Sequence, residues 1–140
     1  MKKFKFELEQ LLNLREYEQE QAQIELGKAV SVETKIQADL DTIAQQYAAV
    51  KKMGEGECDF AKIAEAQQFF SFVKYQQEKL FEQMAQAKLV TEEKRAAFNA
   101  AMQKTERLKK LRELKLEEHN AAQKKEEAKF LDDISTYKYN

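Results

Sequence analysis

The stretch Lys52-Met53-Gly54-Glu55-Gly56-Glu57-Cys58-Asp59 holds two of the three glycines in the chain, and the sequence contains no proline. Long segments with helical periodicity flank it on both sides. Gly54 suits the left-handed position that ends a helix, and Asp59 suits the N-cap of the next. No other stretch offers a comparable place for the chain to reverse. The expected fold is therefore all-α: a long antiparallel two-helix coiled-coil hairpin with a longer second helix. Its expected boundaries are a helix over about 4–53, a turn at 54–58, a helix over about 59–130 and a C-terminal tail over about 131–140, all in one domain.

Composition supports helices over a globule with loops. Charged residues make up 35% of the chain, tryptophan is absent, and Ala, Glu, Lys, Gln and Leu are used heavily. A chain this polar invites a disordered reading. The 43% hydrophobic content, arranged with a helical repeat, supplies apolar surface to bury and argues against disorder for the body of the chain. The net charge of -1 sets up no global field toward nucleic acid or an anionic membrane. Cys58 is the sole cysteine, which excludes an internal disulfide or a cysteine-rich metal site and is compatible with a reducing compartment. Residues 1–9 alternate Lys, Phe and Glu and lack the continuous apolar region of a signal peptide. No apolar run reaches the roughly 18–20 residues that a membrane span needs. The reading is a soluble, cytoplasmic protein with no direct membrane insertion.

Spacings of four and three trace a stripe through the first arm: Leu8, Leu12, Arg15, Gln19, Ala22, Leu26, Ala29, Glu33, Ile36, Leu40, Ile43, Tyr47 and Val50. Only Arg15, Gln19 and Glu33 interrupt it. In the second arm the same count runs through Ile63, Ala66, Phe70, Val73, Gln77, Leu80, Met84, Ala87, Thr91, Lys94, Phe98, Ala101, Thr105 and Leu108. Paired antiparallel about the turn, the stripes set Val50 against Ile63, Tyr47 against Ala66, Ile43 against Phe70 and Leu40 against Val73. Gln19 would then face Lys94, and Ala22 would face Thr91, leaving a polar band in mid-seam. At about 1.5 Å per residue the arms span roughly 70 and 110 Å, so the second overhangs the first.

The two ends differ from the middle. Residues 4–14, FKFELEQLLNL, carry large apolar groups on more than one helical face. Phe4 and Phe6 alternate as in a strand, but no partner strand is near, so the expectation is a helix with an unsettled first turn. Beyond Leu108 the stripe drifts through Leu111 and Leu114. It thins to alanines and recovers at Phe130, Leu131, Ile134 and Tyr137.

No catalytic constellation or cofactor site emerges, and the chain is read as a non-enzyme with no metal site. His119 sits among glutamates without a second ligand at metal spacing and reads as a solvated helix residue. Gly54 and Gly56 lack the context of a phosphate-binding loop. Contacts remain as the means of action. Lys104, Arg107, Lys109, Lys110, Arg112 and Lys115 form a basic run, either a solvated face or an attachment to an acidic protein surface. Nucleic acid fits less well, since aromatic interleaving is missing and the chain as a whole is not basic. Phe69, Phe70, Phe72, Tyr75 and Phe81 cluster early in the second arm. Phe72 and Tyr75 point away from the counted seam, which suits either partner contact or a wide seam.

The opening FKFELEQLLNLRE, the long Gln/Glu/Lys-rich helices, the turn near one third of the length and the later QQFFSFVKYQQ together resemble the FliJ family of the bacterial flagellar type III export apparatus. The resemblance covers essentially the whole chain. Its best single element is the initial Phe-x-Phe-x-Leu-x-x-Leu-Leu-x-Leu-Arg. It implies an antiparallel coiled coil similar to the central stalk of rotary ATPases, peripheral at the cytoplasmic face of the cell membrane. The terminal end would insert into a hexameric flagellar export ATPase, through Phe4, Leu8, Leu11, Leu12 and Arg15 with Leu108, Leu111, Arg112 and Leu114. The turn-proximal half would meet the export gate membrane protein through Leu40, Tyr47, Phe69 and Val73, with Phe72 and Tyr75 from the residue pattern. Export chaperones would be further partners. The alternatives are a generic structural coiled-coil adaptor or tether, monomeric or dimeric, and a holdase-like chaperone using the exposed phenylalanines.

Overall fold

The computed structural model describes residues 2–139, with the side chain of Tyr139 left aside. Two helices account for nearly all of it: α1, Glu9–Met53, and α2, Phe60–Tyr139. They pack against each other, the second is the longer, and no strand occurs among the described residues. Contacts divide the chain into two compact units, Ala22–Ala97 and Met1–Gln21 with Phe98–Asn140.

In the unit Ala22–Ala97 the core is a narrow seam. Ile36, Leu40 and Ala87 are buried together, with Leu80 and Met84 packed on them. Ala29 and Val73 are also buried, and Ala22, Leu26, Glu33, Ile43 and Val50 on α1 are half-buried. Apart from Tyr47 and Ile63 near the turn, the counted heptad positions of this unit are buried or half-buried, because a period near 3.5 keeps one edge of each helix facing the other. Burying Ile36, Leu40 or Val73 contributes about 1.5–3 kcal/mol each.

The pairing between the stripes differs from the expected one. Tyr47 meets Phe70 in a tilted ring contact at 4.8 Å between centroids, whereas pairing about the midpoint of the turn would give it Ala66. Glu33 bonds to Thr91, where that pairing would put Leu80. In the other unit Glu9 meets Arg112, where it would put Lys104. Part of the displacement is side-chain lean. Each side chain tilts toward its own helix N-terminus, which in an antiparallel pair carries tip contacts about two residues beyond the level of the backbones. Beyond that lean, Glu33–Thr91 and Glu9–Arg112 stay displaced by about one heptad, and Tyr47–Phe70, nearer the turn, by less. Shifting α2 by seven residues returns the same stripe to the interface, so both seams survive while their partners change. The predicted facing of Gln19 with Lys94 and of Ala22 with Thr91 is corrected accordingly. Phe60 is 84% exposed and Ile63 42%, because the first turns of α2 lie past the last apolar positions of α1.

The link at 54–59 explains how this displacement is reached. Gly54 continues the helical pattern, its N–H donating to the Val50 carbonyl at 3.0 Å, and it is not left-handed. The positive φ belongs to Gly56, at 77°. Gly56 occupies the third position of a turn closed by the Glu57 N–H on the Gly54 carbonyl at 3.2 Å, a position where a type II turn demands φ above zero. Six residues span up to about 20 Å when extended, and one heptad of helix is about 10.5 Å. Asp59 then caps α2 as expected: its carboxylate accepts the Ala61 N–H at 3.0 Å.

The terminal unit departs from expectation at both ends. Residues 2–8 are extended or turn-like, and α1 begins only at Glu9. Phe4 and Phe6 are half-buried while Lys3, Lys5 and Glu7 are exposed, so the strand-like alternation of the sequence is real. Its partner is the side of α2, where Leu116, His119 and Gln123 are half-buried. The five residues 2–6, ahead of the turn at Glu7 and Leu8, can cover about 16 Å of a neighbouring helix when extended, against about 7.5 Å if they were helical. The extended form thus covers more of the stripe on α2. At the other end α2 does not stop near residue 130 but continues to Tyr139. Past Asp59 the chain contains neither glycine nor proline, and nothing in its sequence breaks the helix. From Lys124 to Lys138 every side chain is exposed.

Candidate partner-binding surfaces

All nine residues assigned to the terminal contact lie in the terminal unit. Leu12 is buried in the helix interface at 4% exposure. Leu11, Arg15, Leu108, Leu111 and Arg112 are half-buried. Leu8 is at the margin and Leu114 is plainly exposed. Phe4, half-buried, lies between two side chains of α2: the Arg112 guanidinium sits 5.6 Å from its ring centroid, and the His119 ring is tilted against it at 5.6 Å. Arg112 also donates through Nε to Glu9 at 2.9 Å. That pair is partly open to solvent and contributes at most about 1 kcal/mol. Gln123 Nε2 donates to the Lys2 carbonyl at 2.9 Å and fastens the start of the extended segment. His119, expected to be solvated, is thus an aromatic contact. The signal that could have found it is the spacing: Arg112, His119 and Gln123 continue the stripe from Leu108.

Within the same unit Thr105 is fully buried and donates to the Ala101 carbonyl of its own helix at 3.1 Å. In the other unit buried Thr91 lies within reach of the Glu33 carboxylate and the Ala87 carbonyl, and its single proton can serve only one at a time. Polar seam positions therefore cause no orphaned group: among the described residues no buried side-chain N or O lacks a partner.

The six residues assigned to the gate contact lie in the unit Ala22–Ala97, on different surfaces. Leu40 and Val73 (3% exposed) are locked in the seam. Tyr47 is at the margin, held by Phe70, and Phe69 is half-buried with its ring edge-on to Phe70 at 6.1 Å. Phe72 and Tyr75 are 58% and 53% exposed on the outer face of α2. The Lys79 ammonium lies 4.8 Å from the Tyr75 ring centroid. Its pKa is raised, first by hydrogen bonding to Tyr75. The open aromatic surface of this unit is thus Phe72 and Tyr75, with half-buried Phe69 beside them.

Of the basic run, Arg112 is paired with Glu9 and Lys115 with Glu118 at 3.7 Å. Lys104, Arg107, Lys109 and Lys110 are exposed. Among the described residues no group of three or more His, Cys, Asp or Glu is placed to hold a metal ion. Among the described residues no helix is long and apolar enough to cross a membrane.

Comparison with known proteins gives one family. The family model described as Flagellar FliJ protein matches residues 4–140. No curated protein and no solved structure matches the chain. With nearly its whole length matched, the chain belongs to the flagellar FliJ protein family and so to the machinery of flagellar protein export.

Proposed function

We propose that this protein is a non-enzymatic stalk of the flagellar type III export apparatus, with separate surfaces for separate partners. The observation that carries this reading is the segregation of candidate contacts. Phe4, Leu8, Leu111, Arg112 and Leu114 belong to the unit that holds both chain ends, and Phe69, Phe72 and Tyr75 to the other. In this reading the terminal unit inserts into a hexameric export ATPase. The aromatic surface meets the export gate membrane protein, and export chaperones share one of the two. The protein works in the cytoplasm, peripheral at the cytoplasmic face of the cell membrane.

The test is hydrolysis by the cognate export ATPase with and without the purified protein. Stimulation is expected, and Leu11→Asp or Leu111→Asp should lower it. Both side chains are half-buried, so Leu114→Asp, at an exposed position, separates loss of contact from loss of packing. No stimulation and no binding to the assembled hexamer would remove this reading. Exposed Phe72, Tyr75 and Phe81 favour one alternative, a holdase-like chaperone. Binding to unfolded export substrates that is lost in Phe72→Ser, with no effect on the ATPase, would select it.

A further inference from the structure

Between the extended N-terminal segment and α2 runs a groove of about 520 Å³. Its floor is apolar, formed by Phe4, Phe6, Leu8 and Leu111. Its rims carry Lys2, Lys3 and Lys5 on the segment and Lys115 on α2, with the His119 ring beside them. Only Glu7 and Glu118 oppose them, and Glu118 is already engaged with Lys115 at 3.7 Å. The arrangement follows from the extended backbone. A period of two turns Phe4 and Phe6 toward the helix and leaves Lys3 and Lys5 exposed between them at the groove's edge. A helical start would have scattered both sets.

We propose that this groove is a docking site for an acidic, apolar peptide segment of a partner protein. Charge complementarity names the occupant. Four lysines and two glutamates leave a net charge of about +2 around an apolar floor. A segment that places Leu or Phe on that floor with Glu or Asp on either side satisfies both. A flat bilayer meets the lysines but cannot enter the concave floor. Inorganic anions and nucleic acid use the charge and leave the floor uncovered. The half-buried contacts of the segment, one hydrogen bond from Gln123 and the two ring contacts of Phe4, let it adjust to an occupant without unfolding α1 or α2. This proposal deepens the terminal-contact reading and rests on it for the identity of the partner, but the chemistry of the groove is testable alone.

The experiment uses the full chain and a fluorescein-labelled 14-residue peptide of Glu and Leu. Controls are the same peptide with Gln for Glu and vesicles of anionic phosphatidylglycerol. Binding of the Glu–Leu peptide is expected, weakened by salt as exposed charge pairs are. The Gln–Leu peptide should bind far less. The double variant Lys3→Glu, Lys5→Glu should lose about tenfold in affinity, since both positions are exposed and each reverses sign; circular dichroism should show unchanged helix content. Absence of peptide binding, or binding indifferent to the double variant, overturns the proposal. So does lysine-dependent capture by vesicles without peptide binding, which would assign the cations to lipid. A concentration-dependent rise in mass that the double variant abolishes also overturns it, by making a second copy the occupant. If the peptide binds and the export ATPase is neither bound nor stimulated, the groove stands and the stalk reading fails; the reverse result removes only the groove.

Discussion

The bond between Glu33 and Thr91 offers a direct test of the helix pairing, because those two residues meet only if α2 is displaced from the midpoint of the turn. A double-mutant cycle with Glu33→Ala and Thr91→Val isolates it. The single variants also change helix propensity and burial, and those contributions cancel in the coupling term. A hydrogen bond to a charged group is worth about 1.5–3 kcal/mol when well buried. Thr91 is buried but Glu33 only half so, and the Thr91 hydroxyl keeps the Ala87 carbonyl at 3.0 Å as an alternative acceptor. The expected coupling is therefore about 1 kcal/mol, which corresponds to a Tm difference of about 3–5 °C for a chain of this size. Urea unfolding followed by circular dichroism at 222 nm, with all four variants measured together, reads it. Coupling below about 0.3 kcal/mol, the limit of additivity for independent sites, would show that the pair does not meet. Glu33 would then face Leu80, and the displaced pairing would be wrong.

Other positions give sharper local outcomes. Gly56→Ala forces a Cβ into a positive-φ position and should cost about 1–2 kcal/mol. Gly54→Ala should be near neutral or stabilising, since its Cβ would meet the Val50 carbonyl at an ordinary 3.5 Å; equal losses for the two in urea melts would contradict the assignment. Asp59→Ala should cost about 1 kcal/mol and speed amide exchange at Ala61, and unchanged exchange there would refute the cap. Phe4→Ala removes both ring contacts, so the His119 ring resonances should move toward solvent values and residues 2–8 should become more sensitive to proteolysis. Unmoved His119 resonances would show that the segment is not docked through Phe4.

Much of the fold was legible because helical periodicity reports burial one residue at a time. The seam through Leu12, Ile36 and Leu40, and its counterpart through Val73, Ala87 and Thr91, could be counted directly, as could the Asp59 cap. The candidate sites were legible as sets and less so as surfaces. Leu40 and Val73 fall where the stripe predicts, in the interface, which removes them from any partner. Phe72 and Tyr75 fall outside it and stay open. His119 was missed because an isolated histidine among glutamates reads as solvated unless the stripe is followed past Leu108, where the covering chain is extended and no heptad signals it.

The division between sequence and tertiary structure here is physical. By itself the sequence determined that there are two helices, which edge of each is buried, and where the chain turns back, since these depend on side-chain order along one chain. It could not determine which heptad meets which, because a seam with period seven is unchanged by a shift of seven. Only the tertiary structure decided that, through a six-residue link whose positive φ falls at Gly56 and not at Gly54. Only it decided, too, that residues 2–6 lie along α2 outside any helix, because an extended segment covers about twice as much of the exposed stripe of α2 as a helix of the same length.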